Sequence, residues 1–460
     1  AVLPFADLSP GSDQAYFADG LHEELLQQLS ILRGIHLNSR TSVAHFRGSP
    51  ATVRSIADSL GARYVIEGSV RRAGDSVRVT VQLIDAAVDE HIWSETYDAR
   101  LTLDEIFAVQ TRIAEGVAGS LGGTLAAGAS GRLGRAPTSS LDAYNFYLRA
   151  LYNWHQFTAE GMETAVGDLE RAIAIDPEFG RAHGMLGLLT IVMRNWGIRS
   201  MEEAFPVVRR QAEIAMRLAP DEPESRMAQL AVYWTLEWDW EAARRELEAT
   251  LELDRSAPDA RWALAEWHAV IAGDTERGLR ELEIAKRLDP FSPTLGQLEA
   301  WILTVDGRWD EAAEVLGRLH RADPDDALTT VSLATALAAG GREEEAEALL
   351  AEVSSSVEDW FRVSLVTAYA ELGEVEVARE HMARAIAFRE AGGWIPASTL
   401  ARGLAAIGET EDALDWLERS FREEGGDWSL RDSVFDPLRA DPRFQALWDQ
   451  VGLPGAGPPE

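Results

Sequence analysis

The chain has 460 residues, 46% hydrophobic and 26% charged, with 76 acidic against 43 basic side chains and a formal net charge of −33. A chain of this size and apolar content can bury a substantial core, which excludes disorder throughout and leaves two to four domains, or one domain with an extended array. Its negative excess repels phosphate backbones and anionic headgroups, so protein or peptide partners are expected in place of nucleic acid, and without an apolar window near 18 residues neither is membrane insertion.

From the start of the chain, Ala1 to Phe5 reads as a strand, and Leu21, Leu25, Leu26, Leu29 and Leu32 mark a helix that Asp19 is placed to cap. Ile35 to Leu37 reads as a strand and Thr52 to Leu60 as a short helix. Tyr64 to Val70 and Val77 to Ile84 form a predicted hairpin with Gly74 in its turn, and His91 to Tyr97 alternates as a further strand. Leu103 to Leu121 is predicted as a helix with Ile106, Val109, Ile113 and Val117 on one face. Residues 122–138 carry Gly122, Gly123, Gly128, Gly131, Gly134 and Pro137, the composition of a flexible connector.

Beyond 139 the pattern becomes a run of helix pairs. Gly273, Gly307 and Gly341 stand 34 residues apart, Gly373 and Gly408 continue at 32 and 35, and each suits a helix-ending turn. Five positions later a small residue recurs (Gly278, Ala312, Ala346, Ala378, Ala413), with Ala243 in an earlier unit whose turn position holds Trp238. Nine positions after the turn comes an apolar residue: Leu247, Leu282, Leu316, Leu350, Met382 or Leu417. Pro177, Pro220, Pro290 and Pro324 stop second helices. This is the 34-residue tetratricopeptide pattern, about eight units between 139 and 425, irregular around Trp196 to Pro206. Stacked helix pairs form a superhelix whose first helices line a concave face. Phe444 to Val451 reads as a final capping helix, followed by a frayed tail. Residues 1–130 hold 16 acidic and 10 basic residues, so 60 and 33 fall in the remainder and the acidity belongs mainly to the array.

The segments Ala1 to Phe5, Tyr16 to Leu21, Val65 to Arg72, Val81 to Asp85 and Ile92 to Asp98 resemble the TolB-N-terminal-like (FlgO/TolB-type) domain family. The run Glu237 to Trp240 and the run Phe435 to Phe444 look like the tetratricopeptide region that follows that domain. The resemblance implies the C-terminal half of a longer bacterial protein, downstream of a winged-helix regulator, a Ser/Thr kinase or a class III adenylate cyclase. It implies a sensory or interaction module and supplies no catalytic residue.

The motifs of other chemistries are missing or incomplete. There is no Cys, which removes disulfides, thiolate nucleophiles and zinc fingers. Among 43 basic residues the one Lys, Lys286, follows Ala285, so no phosphate-cradling G-x-x-x-x-G-K loop exists. His22-Glu23-Glu24 lacks a second His, since Leu26 stands there, and neither Ser120 nor Ser130 completes a G-x-S-x-G elbow. Gly128, Gly131 and Gly134 follow no strand and read as linker, and Arg71 and Arg72 as solvated side chains at a hairpin. No cofactor, metal or catalytic residue is expected.

Of 15 Trp, 14 lie beyond residue 130. Trp234, Trp240, Trp262 and Trp309 fall at packing positions, but Trp267 and Trp301, 34 apart, fall on the concave face. With Trp360, Val305, Val331 and Thr335 they form the predicted partner-binding surface, unless the superhelix winds tightly enough to pack those rings on itself.

The sequence therefore predicts an α+β fold with an N-terminal α/β domain over 1–121, a linker over 122–138, an all-α superhelical solenoid over 139–425 and a cap with tail over 426–460. The expected function is a non-catalytic protein-interaction scaffold, the sensory or regulatory part of a longer protein. The alternative is a self-assembling chain whose head-to-tail contacts give homo-oligomeric rings or filaments. A start inside an apolar run without Met suggests preceding sequence, and the lack of Cys favours an extracytoplasmic location over a cytoplasmic one.

Overall fold

The structure is a computed structural model that describes all residues except 10–14, 31, 34, 123, 126–133, 157, 354–357 and 455–460. By their contacts the residues form two compact units: Ala1–Val232 with Ala242–Arg261 and Ile284–Ser292, and Tyr233–Glu241 with Trp262–Glu283 and Pro293–Glu460.

The first unit begins with a four-stranded sheet in the order β1-β3-β4-β5. β3 (Tyr64–Ala73) and β4 (Ser76–Asp85) make the predicted hairpin around Gly74, whose φ of +59° is the left-handed turn conformation. β5 (Glu90–Arg100) pairs antiparallel with β4, and β1 (Ala6–Asp7) runs parallel to β3. The Ala1 to Phe5 run lies along β3 too, with the Leu3 N–H donating to the Ile66 carbonyl at 2.9 Å. Val77, Val79, Val81 and Leu83 alternate onto one face of β4, as period two requires, and all are buried. That face is covered by α1 (Ala15–Ser30) and α4 (Leu103–Leu121), which bring Leu21, Leu25, Leu29, Ile106, Val109, Ile113 and Val117 into the same core. α2 (Arg40–Ala44) and α3 (Val53–Leu60) complete the domain, and the Thr52 side chain caps α3 through the Ser55 N–H.

Two expectations fail here for identifiable reasons. Asp19 is not a cap: α1 starts a turn earlier, leaving Asp19 mid-helix and buried, where its carboxylate needs a partner and takes the Arg47 guanidinium at 2.6 Å. Ile35 to Leu37 is not a strand, and the short pairing lies earlier, between β2 (Leu32–Arg33) and β6 (Thr124–Leu125). Past Ile35 the backbone turns to helical neighbours, with the Leu37 N–H on the Ser256 hydroxyl at 3.4 Å and the Ser39 N–H on the Leu288 carbonyl at 2.6 Å. Most of the glycine-rich stretch, Gly128 and Gly131 included, lies outside the described residues.

Among the described residues eight helix pairs follow. They are α5 (Leu141–Trp154) with α6 (Ala159–Ile175), α7 (Gly180–Asn195) with α8 (Met201–Leu218), α9 (Pro223–Val232) with α10 (Trp240–Leu253), and α11 (Pro258–Glu266) with α12 (Thr275–Leu288). Then come α13 (Pro293–Val305) with α14 (Trp309–Ala322), α15 (Ala327–Ala339) with α16 (Glu343–Val353), α17 (Arg362–Glu371) with α18 (Val375–Glu390), and α19 (Ala397–Ala406) with α20 (Thr410–Glu423). The five repeating glycines all take φ between +70° and +78°, and Trp238 at the equivalent turn is left-handed too, at +50°. Ala243, Ala312, Ala346, Ala378 and Ala413 have no exposed surface, and the six apolar residues four positions later are at most 2% exposed. Each buried Leu of that series is worth about 1.5–3 kcal/mol relative to exposure.

In the first unit one core runs without a break from α1 and α4 into α5, α6 and α7, through Leu25, Phe107, Tyr144, Leu169 and Phe179. The second unit ends with a short 3-10 turn (Ser433–Leu438) and α21 (Pro442–Val451), whose Phe444, Leu447, Trp448 and Val451 are buried.

Candidate interaction site

In the second unit the first helices of successive pairs pack on one another, α15 on α17 and α17 on α19, which makes them one layer of the array. Trp301 and Val305 lie in the last turns of α13, half-buried, with Trp301 against the small core of Ala265, Leu282, Leu298 and Ile302. On α15 Val331 is buried, while Thr335 is half-buried and its hydroxyl donates to the Val331 carbonyl at 2.9 Å. Trp360 sits in a 3-10 turn, Asp359–Phe361, that leads into α17. It is 55% exposed, its indole N–H donates to Glu358 at 2.6 Å, and Phe361 supports its ring edge-on.

Trp267 is placed differently. The last turn of α11 widens into a π-helix, Trp267–Ile271, and a second π-helix, Tyr233–Glu237, extends α9. A π-turn inserts one residue into the ladder and re-aims the side chains after it. Trp267 is 6% exposed, and its indole N–H donates to the Trp240 carbonyl at 2.9 Å. Its ring is buried edge-on to His268 and its donor is committed inside the unit.

The neighbours of this aromatic group come from the end of the chain, a contact that the repeat spacing does not announce. The Trp428 indole N–H donates to Glu266 Oε1 at 2.9 Å, and the Trp234 ring stands edge-on to both Trp240 and Trp428. Arg431 donates to the Ile271 carbonyl at 3.3 Å, and the Trp240 indole N–H donates to the Val451 carbonyl at 2.8 Å. On its other side the same segment is tied to the last pairs: Arg402 on α19 reaches Asp432 and Ser429 and lies over the Phe435 ring, and Arg443 reaches Glu418 on α20 at 2.8 Å. Residues 428–451 thus bridge the first and last helices of the second unit and cover the aromatic surface between them. Burial raises the Glu266 carboxyl to about 7; the Trp428 N–H opposes that shift and nearby Asp427 adds to it.

A second polar group, in the first unit, also escaped the sequence reading. The Arg181 guanidinium, buried on α7, binds Glu24 of α1 at 3.0 Å and Glu224 of α9 at 3.2 Å, and stacks over Tyr147 at 5.3 Å. The cavity beside it, of about 30 Å³, has room for little more than water. Such a network locks α1, α7 and α9 in register without offering a ligand site. Among the described residues no cluster of His, Asp or Glu is arranged to hold a metal, and no helix is long and apolar enough to cross a membrane.

Comparison with known proteins separates the two parts of the chain. Residues 1–116 match the family described as HilA/YgeH-like transcriptional regulator, second domain, and residues 305–363 match the tetratricopeptide repeat family. A protein of Rhizobium meliloti (strain 1021) named "Putative adenylate cyclase 3" is 35% identical over 191 residues, 42% of this chain and 32% of that protein. The chain therefore covers about a third of the length of that relative. Among solved structures, a tetratricopeptide repeat protein of Parabacteroides merdae aligns with 61% of this chain and 100% of its own at 13% identity and a TM-score of 0.38. PilF of Pseudomonas aeruginosa aligns with 47% of this chain and 93% of its own at 13% identity and a TM-score of 0.36.

Proposed function

We propose that this chain is a non-catalytic protein-interaction scaffold and the sensory or regulatory portion of a longer bacterial protein. The observation that carries the reading is the array of eight helix pairs, part of which matches the tetratricopeptide family, joined to a domain that matches a regulator's second domain. The Rhizobium meliloti relative supports the same arrangement, because the shared segment is a minor part of a longer chain named for a cyclase. In this reading residues 1–121 form the regulatory α/β domain, 122–138 a connector, 139–425 the solenoid, and 426–460 its cap and tail. The partner is a protein or peptide engaged by the concave layer around Trp301, Val305, Thr335 and Trp360, with Val331 in the floor and Trp267 held behind it. The large negative charge of the array favours a partner segment with basic or neutral flanks.

The test is site-specific photo-crosslinking in the producing bacterium, with a photoreactive residue at Trp360, at Trp301 or at the outward Glu343. A single discrete product at Trp360 and Trp301 and none at Glu343 supports the scaffold. Equal labelling at all three, or conversion of ATP to a cyclic nucleotide by the purified chain, contradicts it.

A further inference from the structure

α14 and α16 both pack on α15, and an open groove of about 680 Å³ runs between them. Its floor is Leu333 and Leu337 of α15, and its walls are Ala313 and Gly317 of α14 and Ala348 and Leu349 of α16. Leu333 and Leu337 each follow Val331 and Thr335 by two positions, about 200° around the helix, so the groove lies on the other side of α15 from the concave layer. Gly317 is interior to α14, where Gly is a poor helix former. A Cβ placed there would meet only Arg321 Nη1, at 3.4 Å, so the wall is open at this position.

The rim is positive in a chain that is not. Arg342 is bound to Glu345 at 2.7 and 2.8 Å, and those two charges cancel. The Arg318 and Arg321 side chains are exposed and have no ion-pair or hydrogen-bond partner among the described residues. Glu314 is the remaining charge on the lining, which leaves a net positive rim on a chain of net charge −33. Two uncommitted guanidinium groups beside an apolar floor are complementary to a segment that carries carboxylates next to apolar side chains. Leu at i and i+4 in the floor, between two helices, suits the apolar face of a third helix. The field of the whole array repels a dense polyanion such as nucleic acid far more than a short segment with a few carboxylates.

We propose that this groove docks a short amphipathic helix of a protein partner, with its apolar face over Leu333 and Leu337 and its carboxylates on Arg318 and Arg321. This partner is additional to the segment engaged around Trp301 and Trp360, and it has the opposite charge preference.

Fluorescence anisotropy of the full chain with two synthetic helices of about four turns tests this. Both carry Leu along one face, and one has Glu at the flanking positions where the other has Gln. Wild type binds the Glu helix about tenfold more tightly than the Gln helix, and the preference fades as salt rises. The double variant R318E/R321E loses that preference and still binds the Gln helix. Gly317→Leu fills the groove and abolishes binding of both, without lowering the unfolding temperature, because the new side chain enters open space on a helix that it favours. Trp360→Ala leaves both affinities unchanged. No binding of the Glu helix, equal affinity of wild type for the two helices, binding that survives Gly317→Leu, or loss of binding in Trp360→Ala overturns the proposal.

Discussion

A carboxyl at 3% exposure that accepts an indole N–H is an unusual thing to keep, and Glu266 is held so by Trp428. Its group is raised by burial from an ordinary value of 4.5 to about 7. Between those values the unfolded chain has lost the proton and the folded chain has kept it, so stability falls as pH rises through that window and levels off above it. Glu266→Gln removes the penalty: thermal unfolding of the variant matches wild type near pH 4 and exceeds it at pH 8, by an amount on the order of 3 kcal/mol. Parallel pH profiles for the two proteins would contradict this. His22 has the opposite sign. Burial lowers it to about 4, so the ring stays neutral against the Val2 carbonyl at 2.9 Å and stability is lost as pH drops from about 6.5 toward 4. Imidazole resonances that titrate near 4 agree with this placement, and a midpoint near 6.5 does not. Neither environment is legible in sequence, because Trp428 lies 162 positions from Glu266 and no local pattern sets which helix the end of the chain meets.

Elements were far more legible than contacts. The turn glycines betrayed themselves by spacing, since a residue that must sit at positive φ recurs wherever the repeat does, and Trp238 could be placed by the gap it left. The misread pieces, Asp19 and Ile35 to Leu37, sit where a buried charge or a backbone N–H finds a tertiary partner, which periodicity cannot show. The helical glycines, alike in sequence, also divide by their surroundings. A Cβ on Gly167 in α6 meets nothing within 4 Å, so Gly167→Ala stabilises by about 0.5–1 kcal/mol through helix propensity. A Cβ on Gly184 in α7 lands 2.8 Å from the Glu224 backbone, so Gly184→Ala forces α7 and α9 apart and destabilises by about 1–3 kcal/mol. Urea unfolding of both variants checks the pair, and equal midpoints would show that the α7–α9 approach is looser than this.

At the scale of the whole molecule the sequence foretold a solenoid with an aromatic concave surface, and it left open whether that surface packs on itself. Within that proposed surface the residues differ in exposure. Trp267 is buried, with its indole N–H on the Trp240 carbonyl, while Trp360 is 55% exposed and Trp301 half-buried; the packing residues Trp234 and Trp240 meet residues 428–451. In the proposed reading the surface open to a partner is therefore narrower than the spacing of Trp suggests, and it centres on the turn that opens α17. Trp360 is the residue whose loss most cleanly separates binding from folding, because its ring buries little of itself in the unit. The most direct measurement is calorimetric titration of the crosslinked partner into wild type and Trp360→Ala. A solvent-facing Trp that anchors an interface is worth at least ~2 kcal/mol, so the account predicts a Kd about 30-fold weaker with an unchanged unfolding temperature; an unchanged Kd would contradict it.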